Sequence, residues 1–175
     1  MQKNWYIAYT KSKCEKKVAA LLTKRKIENF CPINCKQIKH LIKNKLFLEP
    51  LFTSYVFLNI KENDFFQLKN VEGIVSLVYW KGRPAVVKDD EIEVIREFIT
   101  YHRDIKLERT SINVNDAARI VDGPSYAIDG KILMIKNRSF SVNLPSLGYT
   151  MIAEMEAEGI SGREITFGNK ELLLQ

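Results

Sequence analysis

Three cysteines and two histidines are the side chains of this 175-residue chain that most readily do covalent or metal chemistry. Cys31, Cys35 and His40 crowd into one stretch, FCPINCKQIKH, so zinc is the first chemistry to weigh. The stretch reads as extended, with Ile33, Ile38 and Pro32 in it. Four residues of strand cover about 13 Å at roughly 3.3 Å each. Two thiolates on one zinc need bonds near 2.3 Å, which only a tight turn at Pro32 would permit. The cysteines therefore read as buried or half-buried thiols, and their odd number argues against a disulfide framework. A nucleophile–base pair reduces to Cys14 with His40 or Cys31 with His102. The chain has no Gly-rich phosphate loop, no HExxH and no GxSxG. No catalytic residue, metal or cofactor is expected.

The remaining chemistry is binding. The formal net charge is +6, unevenly spread. Residues 1–50 carry 12 Lys and Arg against 3 Asp and Glu, whereas residues 111–175 carry 6 against 8. A basic front half calls for an anionic partner, nucleic acid first among them, although a solvated Lys-rich surface gives the same count. The second binding signal is apolar. In PLFTSYVF, residues 50–57, strand alternation puts Val56 and Leu58 on one face and Tyr55 and Phe57 on the other, so both faces want cover.

These residues need elements to hold them. WYIAYT, residues 5–10, has the aromatic and β-branched texture of a strand. A helix over 14–25 follows, with Ser12 as N-cap, Glu15 completing a capping box, and Val18, Leu21 and Leu22 as the buried stripe. Lys16, Lys17 and Lys24 fall off that stripe. Residues 29–49 read as two extended segments around a tip near 41–44, made basic by Lys36, Lys39, His40, Lys43 and Lys45. The strand 50–60 comes next, then a short helix over 64–70 capped by Asn63 or Asp64. A strand over 76–80, a turn holding Gly82 and a short extended piece over 84–87 follow. Asp89 or Asp90 caps the next helix, whose stripe is Ile92, Ile95, Phe98 and Ile99. The order predicts an α+β fold, an antiparallel-rich sheet packed with helices, over residues 1–102. YHRDIKLERTSIN is polar without a clean period and reads as a linker, taken as 103–113. Residues 114–160 are short β-prone pieces broken by Gly, Pro, Asn and Asp, which predicts a small all-β barrel with Ile120, Ile132 and Val142 in its core. Residues 161–175 form a tail without assignment. No apolar run reaches the roughly 18–20 residues that span a bilayer, and the first residues are too charged for a leader, so a cytoplasmic protein is expected.

Three stretches together resemble the NusG-type transcription elongation factors. They are Trp5-Tyr6-Ile7-Ala8-Tyr9-Thr10-Lys11, Pro50 to Phe57, and Gly73-Ile74-Val75-Ser76-Leu77-Val78. Asp122-Gly123-Pro124 through Gly130-Lys131-Ile132 resembles a KOW motif, with Gly123, Pro124 and Gly130 at its structural turn. Within the family the chain is similar to specialised paralogs, the RfaH-like and UpxY-like antiterminators of polysaccharide gene clusters. Thr53 departs from the usual Pro, and Ala117-Ala118 from a larger apolar residue. The resemblance implies a monomer that binds the clamp helices of the RNA polymerase β′ subunit and suppresses pausing or termination. The implied polymerase-binding residues are Tyr9, Phe52, Tyr55 and Phe57. Lys11, Lys13, Lys16 and Lys17 would face the non-template DNA strand, joined by Lys81 and Arg83. The barrel would recruit a ribosomal protein or termination factor Rho. The alternatives are a housekeeping elongation factor of the same family, or a KOW-type RNA-binding, ribosome-associated module. The −2 balance of residues 111–175 argues against the last.

Overall fold

The computed structural model describes residues 2–39, 44–110, 125–128, 131–136 and 139–154. The chain runs β1 (Asn4–Thr10), α1 (Glu15–Lys24), β2 (Glu28–Phe30), β3 (Ile33–Lys39), β4 (Asn44–Pro50) and β5 (Tyr55–Ile60). A 3-10 helix over Glu62–Leu68 leads to β6 (Ile74–Leu77), β7 (Tyr79–Trp80), β8 (Arg83–Pro84), β9 (Val86–Val87) and α2 (Asp89–Tyr101). Then come β10 (Lys106–Arg109), β11 (Ser125–Ile128), β12 (Lys131–Lys136), β13 (Ser139–Leu144) and β14 (Tyr149–Glu154).

The first sheet has the order β2-β5-β1-β6, with β9 also paired to β1. Its strands are antiparallel, and β1 meets β5 in the register Tyr6↔Leu58, Ala8↔Val56 and Tyr9↔Tyr55. Period-two alternation sorts these residues onto two faces. Tyr6, Ala8, Val56 and Leu58 pack with Val18 and Leu22 of α1 and with Leu68 and Val71. Trp5, Ile7 and Phe57 pack with Ile92, Ile95 and Phe98 of α2. β3 and β4 form a separate basic hairpin, as the sequence indicates, and its tip residues 40–43, His40 among them, lie outside the described residues.

Helix ends depart from expectation. α1 is capped at Cys14 without a side-chain hydrogen bond, so Ser12 and Glu15 make no capping box. The buried Glu15 carboxylate instead accepts the Ser54 N–H at 2.6 Å, holding a residue in the left-handed region at φ 63°. A tertiary partner outcompetes the local one because this backbone donor is otherwise unpaired near the core. α1 closes in a Schellman arrangement, with Lys26 at φ 60° and the Ile27 N–H returning to the Leu22 carbonyl at 3.0 Å. The 3-10 helix and α2 begin after Lys61 and Lys88, again without side-chain caps. The acidic Asp89, Asp90 and Glu91 occupy the first turn of α2, where they favour its dipole.

The second sheet has the order β10-β14-β13-β12-β11, antiparallel throughout. β10 lies inside the segment read as a linker, so that reading is corrected for Lys106–Arg109. The KLER stretch carries no strand signal because β10 buries little beyond part of Leu107 and, among the described strands, pairs only with β14. The approach to β10 is pinned. The buried Asn34 side chain donates to the Ile105 carbonyl at 2.8 Å and accepts the Ile105 N–H at 3.1 Å, imitating a strand partner. Among the described residues, the segment 114–160 supplies four of these strands, β11 to β14, and Val142 is buried as expected. Gly123, Pro124, Gly130 and Ile120 lie outside the described residues, as does the tail from 155 onward.

The second sheet lies against the α2 side of the first. Val142, Leu144, Met151 and Ala153 share one core cluster with Trp5, Phe52, Phe57, Ile92 and Ile95. At its edge, the Glu91 carboxylate accepts the Ser146 N–H at 2.9 Å.

Candidate functional site

The structure brings Tyr9, Phe52, Tyr55 and Phe57 to one face of the first sheet and then covers most of it. Phe57 is 0% exposed and Phe52 3%. The Phe52 ring stands edge-on to Phe57 at 5.4 Å and to Tyr149 of the second sheet at 6.0 Å. Tyr55 is half-buried, with burial and then the neighbouring Tyr149 pushing its phenol pKa up, so it stays a neutral donor. Tyr9 remains 43% exposed and meets Tyr55 edge to face at 6.1 Å. The face is thus a closed aromatic centre with a tyrosine rim. The strand pattern foretold two apolar faces. It carried no signal that the second cover, beside α2, is a sheet whose buried residues Val142, Leu144, Met151 and Ala153 lie more than 80 residues later.

The six predicted nucleic-acid residues fall into three pairs. Lys11 and Lys13 sit in the loop after β1, exposed and with no hydrogen bond or salt bridge from their heads among the described residues. The Lys11 N–H ties this loop to the Gly73 carbonyl at 2.9 Å. Gly73 is required there: φ is +96°, and a Cβ would lie 2.8 Å from Val18 Cγ2. Lys16 and Lys17 are engaged by the chain itself. Lys16 Nζ donates to the Leu48 carbonyl at 2.6 Å, and Lys17 pairs with Glu72 at 2.8 Å. That exposed pair holds the Glu72 carboxyl below its usual range and the Lys17 ammonium above its own. Lys81 and Arg83 occupy a second protrusion, the β7–β8 hairpin, which leaves the sheet beside Ile7. Sequence reasoning passed over two exposed features: Trp80 on that hairpin, and Leu46 and Leu48 on β4.

The thiols do not assemble a reactive centre. Cys14, Cys31 and Cys35 are all half-buried and free. Burial, with the nearby Glu15 carboxylate, pushes the Cys31 thiol up to about 11, and burial pushes His102 below its ordinary value. Both directions oppose a thiolate–imidazolium pair. Iodoacetamide near neutral pH is expected to label Cys31 of the native chain about a hundredfold more slowly than the denatured one. Equal rates by peptide mass spectrometry would refute the raised thiol. Among the described residues, no group of three His, Cys, Asp or Glu could hold a metal ion, and no helix is long and apolar enough to cross a membrane.

The family model described as "Transcription termination factor nusG" matches residues 3–96. Proteins named transcription termination/antitermination protein NusG, from Streptococcus pyogenes serotypes M3 and M1, are each 25% identical over 168 residues, covering 88% of this chain and 93% of their own. The solved structure "Domain interaction in Thermotoga maritima NusG" is 19% identical with a TM-score of 0.46, covering 89% of this chain and 94% of that one. With the family match running over more than half its length, the chain belongs to the NusG family of transcription termination and antitermination factors.

Proposed function

We propose that this chain is an antitermination factor that docks on the β′ clamp helices of RNA polymerase through Tyr9, Phe52, Tyr55 and Phe57. In the conformation described here that surface is closed. The sheet from Lys106 onward acts as a releasable cover over a docking unit spanning residues 1–102. Docking then requires a shift to an open population, and the open form binds in proportion to its share. Bridging the clamp holds the polymerase closed around its template, so pausing falls by the affinity difference between elongating and paused states. Lys11 and Lys13 would take phosphates of the displaced non-template strand, with Lys81 and Arg83 on the neighbouring protrusion. Lys16 and Lys17 are held by Leu48 and Glu72 and have fewer donors left to offer a phosphate. Once free, the second sheet offers its own surface to a ribosomal protein or to Rho. The targets are polysaccharide gene clusters. A second reading is a general housekeeping elongation factor of the same family, whose relatives are named transcription termination/antitermination protein NusG.

The observation that carries this reading is the aromatic face with its tyrosine rim at Tyr9 and Tyr55, where residues of the second sheet, Tyr149 against Phe52 among them, form part of the cover. The Tyr9→Ala, Tyr55→Ala double variant is expected to stay folded, because both rings lie at the rim. It should lose polymerase capture about thirtyfold or more, the scale of an interface hot spot. Unchanged capture by a folded variant defeats the docking face. Nascent-RNA sequencing with and without the protein separates the operon-specific reading from the general one.

A further inference from the structure

The β7–β8 hairpin stands off the first sheet. The Val78 N–H donates to the Ile7 carbonyl and the Ala85 N–H to the Val78 carbonyl, each at 2.8 Å, and beyond these bonds residues 79–84 pair only with each other among the described strands. The turn residues Lys81 and Gly82 both have positive φ, 50° and 78°, as a two-residue type I′ turn demands. Trp80 lies opposite Arg83, and Tyr79 opposite Pro84. Directly opposed residues share a face, so one face carries an indole beside a guanidinium and the other a phenol beside a proline.

Both rings are in water. Trp80 is 71% exposed and Tyr79 59%, and no ring or cation–π contact engages either among the described residues. A tryptophan on a hairpin too small to bury it leaves its ring faces open to a flat partner. Its chemistry is set by the charges around it. From Gly73 to Lys88 there is no Asp or Glu, while Lys81, Arg83 and Lys88 are cationic. An aromatic plate edged by cations fits a base stacked on the ring with its phosphates held alongside. A duplex hides its base faces, so the fit is to single strands.

We propose that this hairpin is a stacking platform for single-stranded nucleic acid, with a base on Trp80, its phosphates on Arg83 and Lys81, and Tyr79 as a second plate. This deepens the nucleic-acid role proposed above for Lys81 and Arg83, and it rests on that reading. It adds contact with bases, of a kind that tolerates any base. A strand passing from Lys13 along the β6 edge to Trp80 would cover about 13 Å of β-strand, the length of four residues.

The full chain carries its own reporter. Trp5 is 5% exposed and Trp80 71%, so quenching of tryptophan emission by an oligonucleotide reads Trp80. A short single-stranded oligothymidylate is expected to quench and shield that emission, and a duplex of equal length to bind at least tenfold more weakly. With a labelled oligothymidylate, Trp80→Ala should weaken binding about tenfold and Trp80→Tyr should largely restore it. Replacing Lys81 and Arg83 by Ala should flatten the salt slope by about 1.4, two single-strand phosphate contacts. Absence of quenching in the unmodified protein, equal quenching by duplex, or unchanged affinity of Trp80→Ala each overturns the platform. Restoration by Trp80→Leu as complete as by Trp80→Tyr also overturns it, since an apolar protein contact is then the better account. Polymerase capture, measured on the same variants, should follow Tyr9 and Tyr55 and not Trp80. The docking reading and the stacking reading therefore fail in separate assays.

Discussion

Phe57→Ala is expected to destabilise the protein by about 3–5 kcal/mol, the range for emptying a fully buried phenylalanine site. The ring is 0% exposed, 5.4 Å from Phe52 and 6.1 Å from Phe30, with Ile92 and Ile95 in the same cluster. Collapse of the hole is limited because rigid elements wall it: β1 and β2 beside it, α2 and the second sheet above. A chain of this length loses roughly 2–4 °C of melting temperature per kcal/mol, so a fall near 10 °C follows. Such a variant would also lose polymerase capture, but through unfolding, which makes the residue unsuitable for testing the docking face. Tyr9 and Tyr55 carry that test. A melting temperature within a degree or two of the parent would mean that Phe57 faces solvent and that the closed arrangement is not the one populated.

Leu144→Asp is expected to open the covered face. Leu144 is fully buried in an apolar cluster with residues of both sheets. Burying the unpaired charge costs several kcal/mol, and the cheapest relief is for the second sheet to leave. Each 1.4 kcal/mol removed from closure raises the open share tenfold while closure dominates. Polymerase capture should therefore rise at least tenfold, accompanied by stronger binding of a hydrophobic dye to the bared face. Leu144→Ile conserves volume and should change neither. Capture that stays flat while the face becomes dye-accessible would show that the cover does not control docking. The Tyr9→Ala, Tyr55→Ala pair placed in the Leu144→Asp background then reads the docking contacts without interference from closure.

The parts legible in the sequence share one property: their signal is local. Val56 and Leu58 against Tyr55 and Phe57 follow from period two, and the α1 stripe from period 3.6. Val18 and Leu22 are buried as that stripe requires, with Leu21 at its margin. The misses have distant causes. Glu15 has the spacing of a capping box with Ser12, but its carboxylate is taken by Ser54, 39 residues away in sequence. Lys106–Arg109 looks irregular because its partner is the distant β14 and, among the described strands, it has no second neighbour. The cover over Phe52 and Phe57 depends on Val142, Leu144 and Met151, whose own pattern says only that they want burial, not against what. Trp80 was passed over for the opposite reason. A large aromatic in a β-prone run is assumed to be inside, and only the geometry of the hairpin shows that there is no inside for it to enter.

The bond pair between Asn34 and Ile105 bears on how the face competes for its occupants. Only four residues separate the end of α2 at Tyr101 from the start of β10 at Lys106, and the clamp on Ile105 shortens the free tether further. A short tether confers an effective concentration of order millimolar on the covering sheet. That quantity belongs to the molecule and does not change with how much protein is present. Dilution cannot uncover the face, and a partner meets the same handicap at every expression level. Lengthening the segment between Tyr101 and Ile105 would turn down that handicap continuously, without altering one residue of either surface.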